Sequence, residues 1–511
     1  MKRFTKIILI NGLVMPFIFF SASLSAQVKT QQDVDTLKQK VMTINDKVAG
    51  VEERISNAEA DLAKLTKIKF SGYIQSQWIN YEASNVYPNN YFMIRRARFT
   101  LSYEPVDGVV FVMQPDFAPG NFTIKEAYAK INDPWLKTFS IWAGKFVRPD
   151  YEITYSSANR EVAEFSRVIK ALYPDEYAIG AKLEIAPPKL PLLFQLAVIN
   201  GNDGYTTVDP TGTSSVLQNT DYDNFKDLTA RLTYRFKLGN FGGLTIGALG
   251  YYGSVKANSL TVLKSDYTVN KTLTNVGQSA PKQWWGAEMQ FNMDVLGGLI
   301  IKGEYLRGIL TVPGITSSSS TLSQSVSASN DTLFYKNLTT TTKVNTPAIS
   351  RNFSGWYLYL IKNIGKRNQI AVRYDWYNPN TKLSADSIGS RKYSNDTKGS
   401  VTTSKTTYSG GSSLVTATQT QSITNTTSTL KSGTADIPYG SWDFAYSYYF
   451  TDNIKIMVDY LMPLNKKVGT VNSAGAGNVT STYTTNGING VYDYSNLIHQ
   501  NVLTVRVQVK F

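Results

Sequence analysis

In the run RRAR, Arg96 and Arg98 stand two residues apart. Arg231 and Arg235 lie four apart in TARLTYRF, while Arg373 and Arg506 are flanked by apolar residues in AVRYDW and TVRVQV. On a strand, even spacing puts side chains on one face. Arg stays charged and presents a fork of donors, so Arg repeated on one face is chemistry for attracting and holding anions. Catalysis has fewer candidates. His499 is the only histidine and there is no cysteine. A general base needs a positioned partner and a zinc site needs several ligands, so no catalytic residue, metal or cofactor is assigned.

The elements that must carry these residues are strands. Leu228, Ala230, Leu232, Tyr234 and Phe236 alternate with Thr229, Arg231, Thr233 and Arg235. Ile370, Val372, Tyr374 and Trp376 alternate with Ala371, Arg373 and Asp375. The terminal NVLTVRVQVKF sets Leu503, Val505, Val507, Val509 and Phe511 against Thr504, Arg506, Gln508 and Lys510. A soluble sheet would bury one of these faces on a core, and buried unpaired charge is costly. A water-filled lumen accepts charge while the apolar face meets lipid. Mean hydropathy of −0.21 does not exclude this, because only alternate residues face lipid. The 32 Tyr, 23 Phe and 8 Trp suit aromatic girdles at the membrane interfaces.

Seven short turns punctuate the strands at 104–108, 132–138, 186–191, 237–243, 293–298, 362–367 and 450–453. Eight other connections lie near 82–90, 117–120, 146–175, 201–224, 254–282, 311–349, 379–437 and 464–498. Together they predict about 16 strands, each near the length a tilted membrane strand needs. The fold class expected is all-β: a transmembrane antiparallel β-barrel preceded by a short α-helical coiled coil. Segments 311–349 and 379–437 are rich in Ser and Thr and read as flexible solvated loop.

Residues 1–26 read as a secretory signal. Lys2, Arg3 and Lys6 precede the mostly apolar stretch Ile7 to Phe20, and small residues lead to Ala26. Within 27–67, Val34, Leu37, Val41, Ile44, Val48, Val51, Ile55, Ala58, Leu62 and Leu65 follow spacings of three and four. Such a seam marks a periplasmic coiled coil and favours self-association. Residues 68–511 are the barrel. Without the signal the formal charge of +14 falls by three, and for an exported chain this excess suits an anion-attracting surface or pore rather than nucleic acid.

Several stretches resemble the phosphate-selective porins O and P of Gram-negative outer membranes. They are FSGYIQSQW, RRARFTLSYEP, FVMQPDFAPGNFTIKEAYAKI, WAGKFVRP and YSSANREVAEFSR, all within residues 68–185. The order of signal, short coiled coil, barrel and terminal Phe511 agrees as well. The resemblance implies a homotrimeric sixteen-stranded channel in the outer-membrane lipid, with lumenal rows of Arg and Lys that bind small anions. It implies that connection 146–175 folds inward to narrow the pore. On the matching motifs it carries over Arg96, Arg98, Lys145 and Arg148, and Arg160 and Arg167 join them as basic residues of the inward connection.

Parity adds Lys182, Arg231, Arg235, Arg373 and Arg506 to the proposed pore lining, with Lys302 and Lys455 on the same faces. Glu184, Glu288, Glu304, Asp375, Asp443 and Asp459 share those faces. Within 146–175, Arg148, Arg160, Arg167 and Lys170 meet Asp150, Glu152, Glu161, Glu164 and Asp175. Rings of one sign set selectivity, so this mixture supports mild anion preference. The alternatives are a weakly selective general porin and a structural or adhesion barrel. The closing strand, ending in Phe511, would engage the barrel-assembly machinery.

Overall fold

The computed structural model describes residues 27–511 apart from 66, 83–88, 119–121, 151–152, 154–156, 174–175, 202–205, 209–213, 217–222, 276, 294–297, 330–331, 385–386, 388–390, 410–416 and 465–500. The signal expected at 1–26, together with Glu152, Asp175 and His499, lies outside the described residues. The chain divides into two compact units, residues 1–67 and 68–511.

In the first unit one helix runs over Gln27–Leu65 (α1). Leu37, Val41, Ile44, Val48, Val51 and Ile55 are all exposed along it. Their spacing makes a continuous apolar seam that α1 does not cover by itself.

In the second unit sixteen strands close a barrel. They are Ile68–Tyr81 (β1), Asn90–Val106 (β2), Val109–Asp116 (β3), Thr123–Asn132 (β4), Phe139–Val147 (β5), Tyr177–Ile185 (β6), Leu192–Ile199 (β7) and Asp227–Lys237 (β8). The remaining eight are Gly242–Lys256 (β9), Ser279–Met293 (β10), Leu299–Val312 (β11), Ala348–Ile364 (β12), Asn368–Asn378 (β13), Tyr439–Thr451 (β14), Ile454–Pro463 (β15) and Val502–Lys510 (β16). Each is antiparallel to its neighbours, and β16 pairs with β1 from Tyr73↔Lys510 to Tyr81↔Val502. All seven short turns read from the sequence fall between consecutive strands.

Burial along the strands is the reverse of a soluble sheet. On β16, Thr504, Arg506 and Gln508 are buried while Val507, Val509 and Phe511 are exposed. On β8, Thr229, Arg231 and Thr233 are buried and Leu228 and Leu232 exposed. Polar residues therefore line the inside, and the apolar face is left for lipid.

The Ser/Thr-rich segments depart from the expectation of flexible loop. Ile315–Ser329, Thr332–Thr346, Lys392–Ser409 and Ala417–Lys431 form a four-stranded antiparallel sheet. Few apolar residues limit what such segments can bury. Thr, however, is β-branched and favours extended backbone, and four adjacent strands satisfy one another's peptide groups.

Candidate functional site: the lumen and its inward connection

Between β5 and β6 the chain turns into the barrel and lies against the inner wall. Short helical pieces form at Ser157–Asn159 and Arg167–Leu172 (α2), the latter capped by the Ser166 hydroxyl, which accepts from the Ile169 amide. Val168, Ile169 and Leu172 of α2 pack with Phe146, Phe353 and Tyr357 in a buried apolar cluster.

The other described residues of this connection join no strand ladder, so their peptide groups need other partners. Wall side chains supply them. Gln75 Nε2 donates to the Ser157 carbonyl (3.1 Å), Gln508 Nε2 to that of Ala158 (3.0 Å) and Lys455 Nζ to that of Arg160 (2.8 Å). Arg506 donates to the Ala163 carbonyl (2.8 Å) and Arg373 to that of Glu164 (2.7 Å). In return, the Ala163 amide donates to Asp459 (3.1 Å) and the Arg167 amide to Asp375 (2.6 Å). Lys302 adds a salt bridge to Glu161 at 2.9 Å. Donors on β1, β13, β15 and β16 thus hold the backbone of this segment rather than facing open water.

The residues singled out from sequence fall into distinct groups. Arg373 and Arg506 are among these anchors; Arg373 also pairs with Asp443, and Arg506 with Gln77 at 2.9 Å. Arg148 pairs with Asp150 (3.3 Å) and lies over the Tyr173 and Tyr251 rings. Arg160 stacks on Phe165 at 3.3 Å, and Arg167 donates to the Tyr439 hydroxyl at 2.6 Å. Arg96 donates to Gln75 at 2.9 Å. Arg98 bridges Asp116 (2.7 Å) and Glu176 (2.8 Å).

Arg231 grips Glu288 with two nitrogens, the shorter contact 2.7 Å. Lys182 sits 3.5 Å over the Trp142 ring, which Lys130 approaches to 4.7 Å. Two residues are placed differently. Lys145 lies opposite Ala127 and Ile179, on the strand face alternate to buried Phe146. Arg235 is exposed near the turn end of β8.

Parity misses Arg95. In the β1–β2 ladder Gln75 pairs with Arg96 but Ser76 pairs with Ile94, so Arg95 is the extra residue of a β-bulge. Counting by twos from Arg96 puts Arg95 on the lipid face. The bulge instead lets it reach Glu164 on the inward connection, with a two-pronged contact at 3.0 and 3.1 Å. Glu164 also meets Lys170 at 3.3 Å and Arg506 at 3.4 Å. An adjacent RR doublet where one Arg is expected on the lipid face is the sequence signal for such a bulge.

Burial alone would raise the Glu164 carboxyl, but Arg95, Lys170 and Arg506 hold it well below the usual carboxylate range. Burial, helped by Arg167 and Arg95 and opposed by Glu164, pushes the Lys170 ammonium down to about 8. Glu176 resists burial through Arg98 and Arg96 and falls to about 2. Among the described residues no group of three or more His, Cys, Asp or Glu could hold a metal ion.

No family model matches the chain, and no curated protein matches it. Solved structures with some likeness include the anion-selective porin of Comamonas acidovorans, 8% identical over 87% of this chain and 99% of that one, with a TM-score of 0.40. The outer membrane channel DcaP of Acinetobacter baumannii is 9% identical over 87% of this chain and 97% of that one, also at 0.40. For OprB of Pseudomonas putida the identity is 8%, the coverage 88% and 96%, and the TM-score 0.43.

Proposed function

We propose that the chain is an outer-membrane channel for passive diffusion of small hydrophilic solutes, with a mild preference for anions such as phosphate. One observation carries this reading: sixteen strands close a barrel whose polar residues face inward around a connection folded into the lumen. That arrangement suits a narrowed aqueous path through lipid. The charge excess and the porin-like motifs of residues 68–185 support the anion preference.

A weakly selective general porin is the second reading, and the pairing of cations favours it. Arg98, Arg148, Arg231 and Arg373 each meet a carboxylate, which cancels much of their field. In this proposal 1–26 directs export, the exposed seam of α1 joins three copies in a periplasmic coil, and the strand ending at Phe511 engages the assembly machinery. Conductance in planar bilayers tests the channel, and reversal potentials in unequal KCl, repeated with phosphate, test the preference. A folded barrel that carries no current would defeat the reading.

A further inference from the structure

Most lumenal charges are buried in contacts that leave solutes little to meet. Arg506 and Arg373 are about 1–2% exposed, and Arg98 with its two carboxylates stays below 8%. The cluster of Arg95, Glu164 and Lys170 differs. Their side chains are 28%, 30% and 15% exposed. The cluster brings β2, the inward connection and α2 together at one place. It contains two cations and one carboxylate. Another partly exposed lumenal pair, Lys130 with Glu184, is balanced at one charge of each sign.

We propose that Arg95, Glu164 and Lys170 together set the ion selectivity of the passage, with Arg95 and Lys170 drawing anions and Glu164 limiting how strongly they do so. The inference rests on the channel reading above and names the residues that decide its selectivity. Its physical basis is exposure: a charge that reaches the water path acts on a passing ion, while one neutralised in the wall acts on its partner. Glu164 has a double role, because its carboxylate fork orients Arg95 while its backbone carbonyl is held by Arg373. Orientation through the backbone survives replacement of the side chain.

The cluster also gives the passage a pH response. Lys170 is charged below its value of about 8 and neutral above it. Groups facing it are Glu164 on the connection, Arg95 on β2, Arg167 on its own helix and Asp443 on β14, with Arg373 and Asp375 of β13 beside Asp443. As pH rises through that value the cluster changes from a net positive charge to a balanced one, and anion preference should fall.

The test uses the full chain in planar bilayers, with reversal potentials in unequal KCl. Glu164→Gln should raise the chloride-to-potassium permeability ratio and Arg95→Gln should lower it, each by about two- to five-fold for one unit charge. Wild-type protein taken from about pH 6.5 to about pH 9.5 should lose anion preference, whereas Lys170→Arg, charged throughout, should keep it. Each variant is first checked for a heat-modifiable folded band; should Arg95→Gln fail to fold, the Lys170→Arg pH comparison decides. Ratios unchanged in the folded Gln variants, or an equal pH response in wild type and Lys170→Arg, would overturn the assignment. Absence of current in wild type would instead sink the channel reading, so the two failures are distinguishable.

Discussion

Gly72 and Phe511 exchange both backbone hydrogen bonds at 3.0 Å, and the Phe511 ring occupies the space where a Cβ at position 72 would project. Such a Cβ would lie 2.5 Å from the ring and 2.6 Å from the Arg98 carbonyl oxygen, closer than real atoms approach. Phe511 then packs on Phe70 at 5.6 Å. The seam between β16 and β1 thus depends on an absent side chain at one position and a large one at the other.

Gly72→Val should therefore disturb barrel closure. The backbone oxygen of Arg98 cannot swing aside as a side chain could, and overpacking of this kind costs about 1–3 kcal/mol. The folded fraction in heat-modifiability gels should fall well below wild type. An unchanged folded fraction would mean that the seam relaxes around the added methyls.

At the same seam, Phe511→Asp should impair assembly more than Lys510→Gln. Phe511 is exposed on the apolar face, whereas Lys510 donates to Asn159 at 2.8 Å on the inner side. Charge on the lipid face is penalised according to depth. Equal yields of folded protein from the two variants would contradict this register.

Arg98→Gln should destabilise the barrel rather than retune it. The substitution leaves Asp116 and Glu176 buried without their shared cation, and breaking a buried pair costs about 3–5 kcal/mol. Denaturant unfolding should shift to lower concentration. The permeability ratio of the remaining folded channels should move less than in Arg95→Gln, and a larger move would show that Arg98 reaches the water path after all.

At the far rim, Asp436 accepts from Arg351 (2.8 Å), Tyr267 (2.7 Å) and Asn380 (2.7 Å), tying the β9–β10 and β13–β14 connections to β12. Burial would raise its carboxyl, but Arg351 and the hydrogen bonds from Asn380 and Tyr267 lower it. A depressed carboxyl contributes stability above its unfolded value, about 3.9, and loses it as pH falls through the folded value. Limited proteolysis of the rim should accelerate in wild type only as pH falls below the ordinary carboxylate value of about 3.9, and already at neutral pH in Asp436→Asn. Identical cleavage of both at neutral pH would remove Asp436 from that role.

Removing residues 29–65 should lower the oligomeric mass of the detergent-purified protein, or its resistance to dissociation, if the exposed seam of α1 joins copies. Chemical crosslinking of both forms measures it. A monomer band from the intact chain would end the coiled-coil proposal.

The alternation of apolar and polar residues was enough to define the strands, because a strand has a period of two and each face meets one solvent. The short turns were equally legible: NDPWLKT ends one strand and starts the next at the residues where β4 and β5 meet it. That Arg231, Arg373 and Arg506 share a face with Thr and Gln followed from the same count. Parity stops at any irregularity, however. A single extra residue between Ile94 and Arg96 moves Arg95 to the other side, and one residue is too small a signal against an alternating background.

What only the tertiary structure decided is which inward charges are used up. Lys455, Arg373 and Arg506 look alike in sequence to any cation that might draw an anion. They are anchors because the connection after β5 brings bare peptide groups to them, from residues some 200 to 350 positions away. Such pairings depend on which strands closure places opposite the loop. Sequence determines the face a residue takes, through local geometry; its partner there is set by long-range closure, which no local pattern contains.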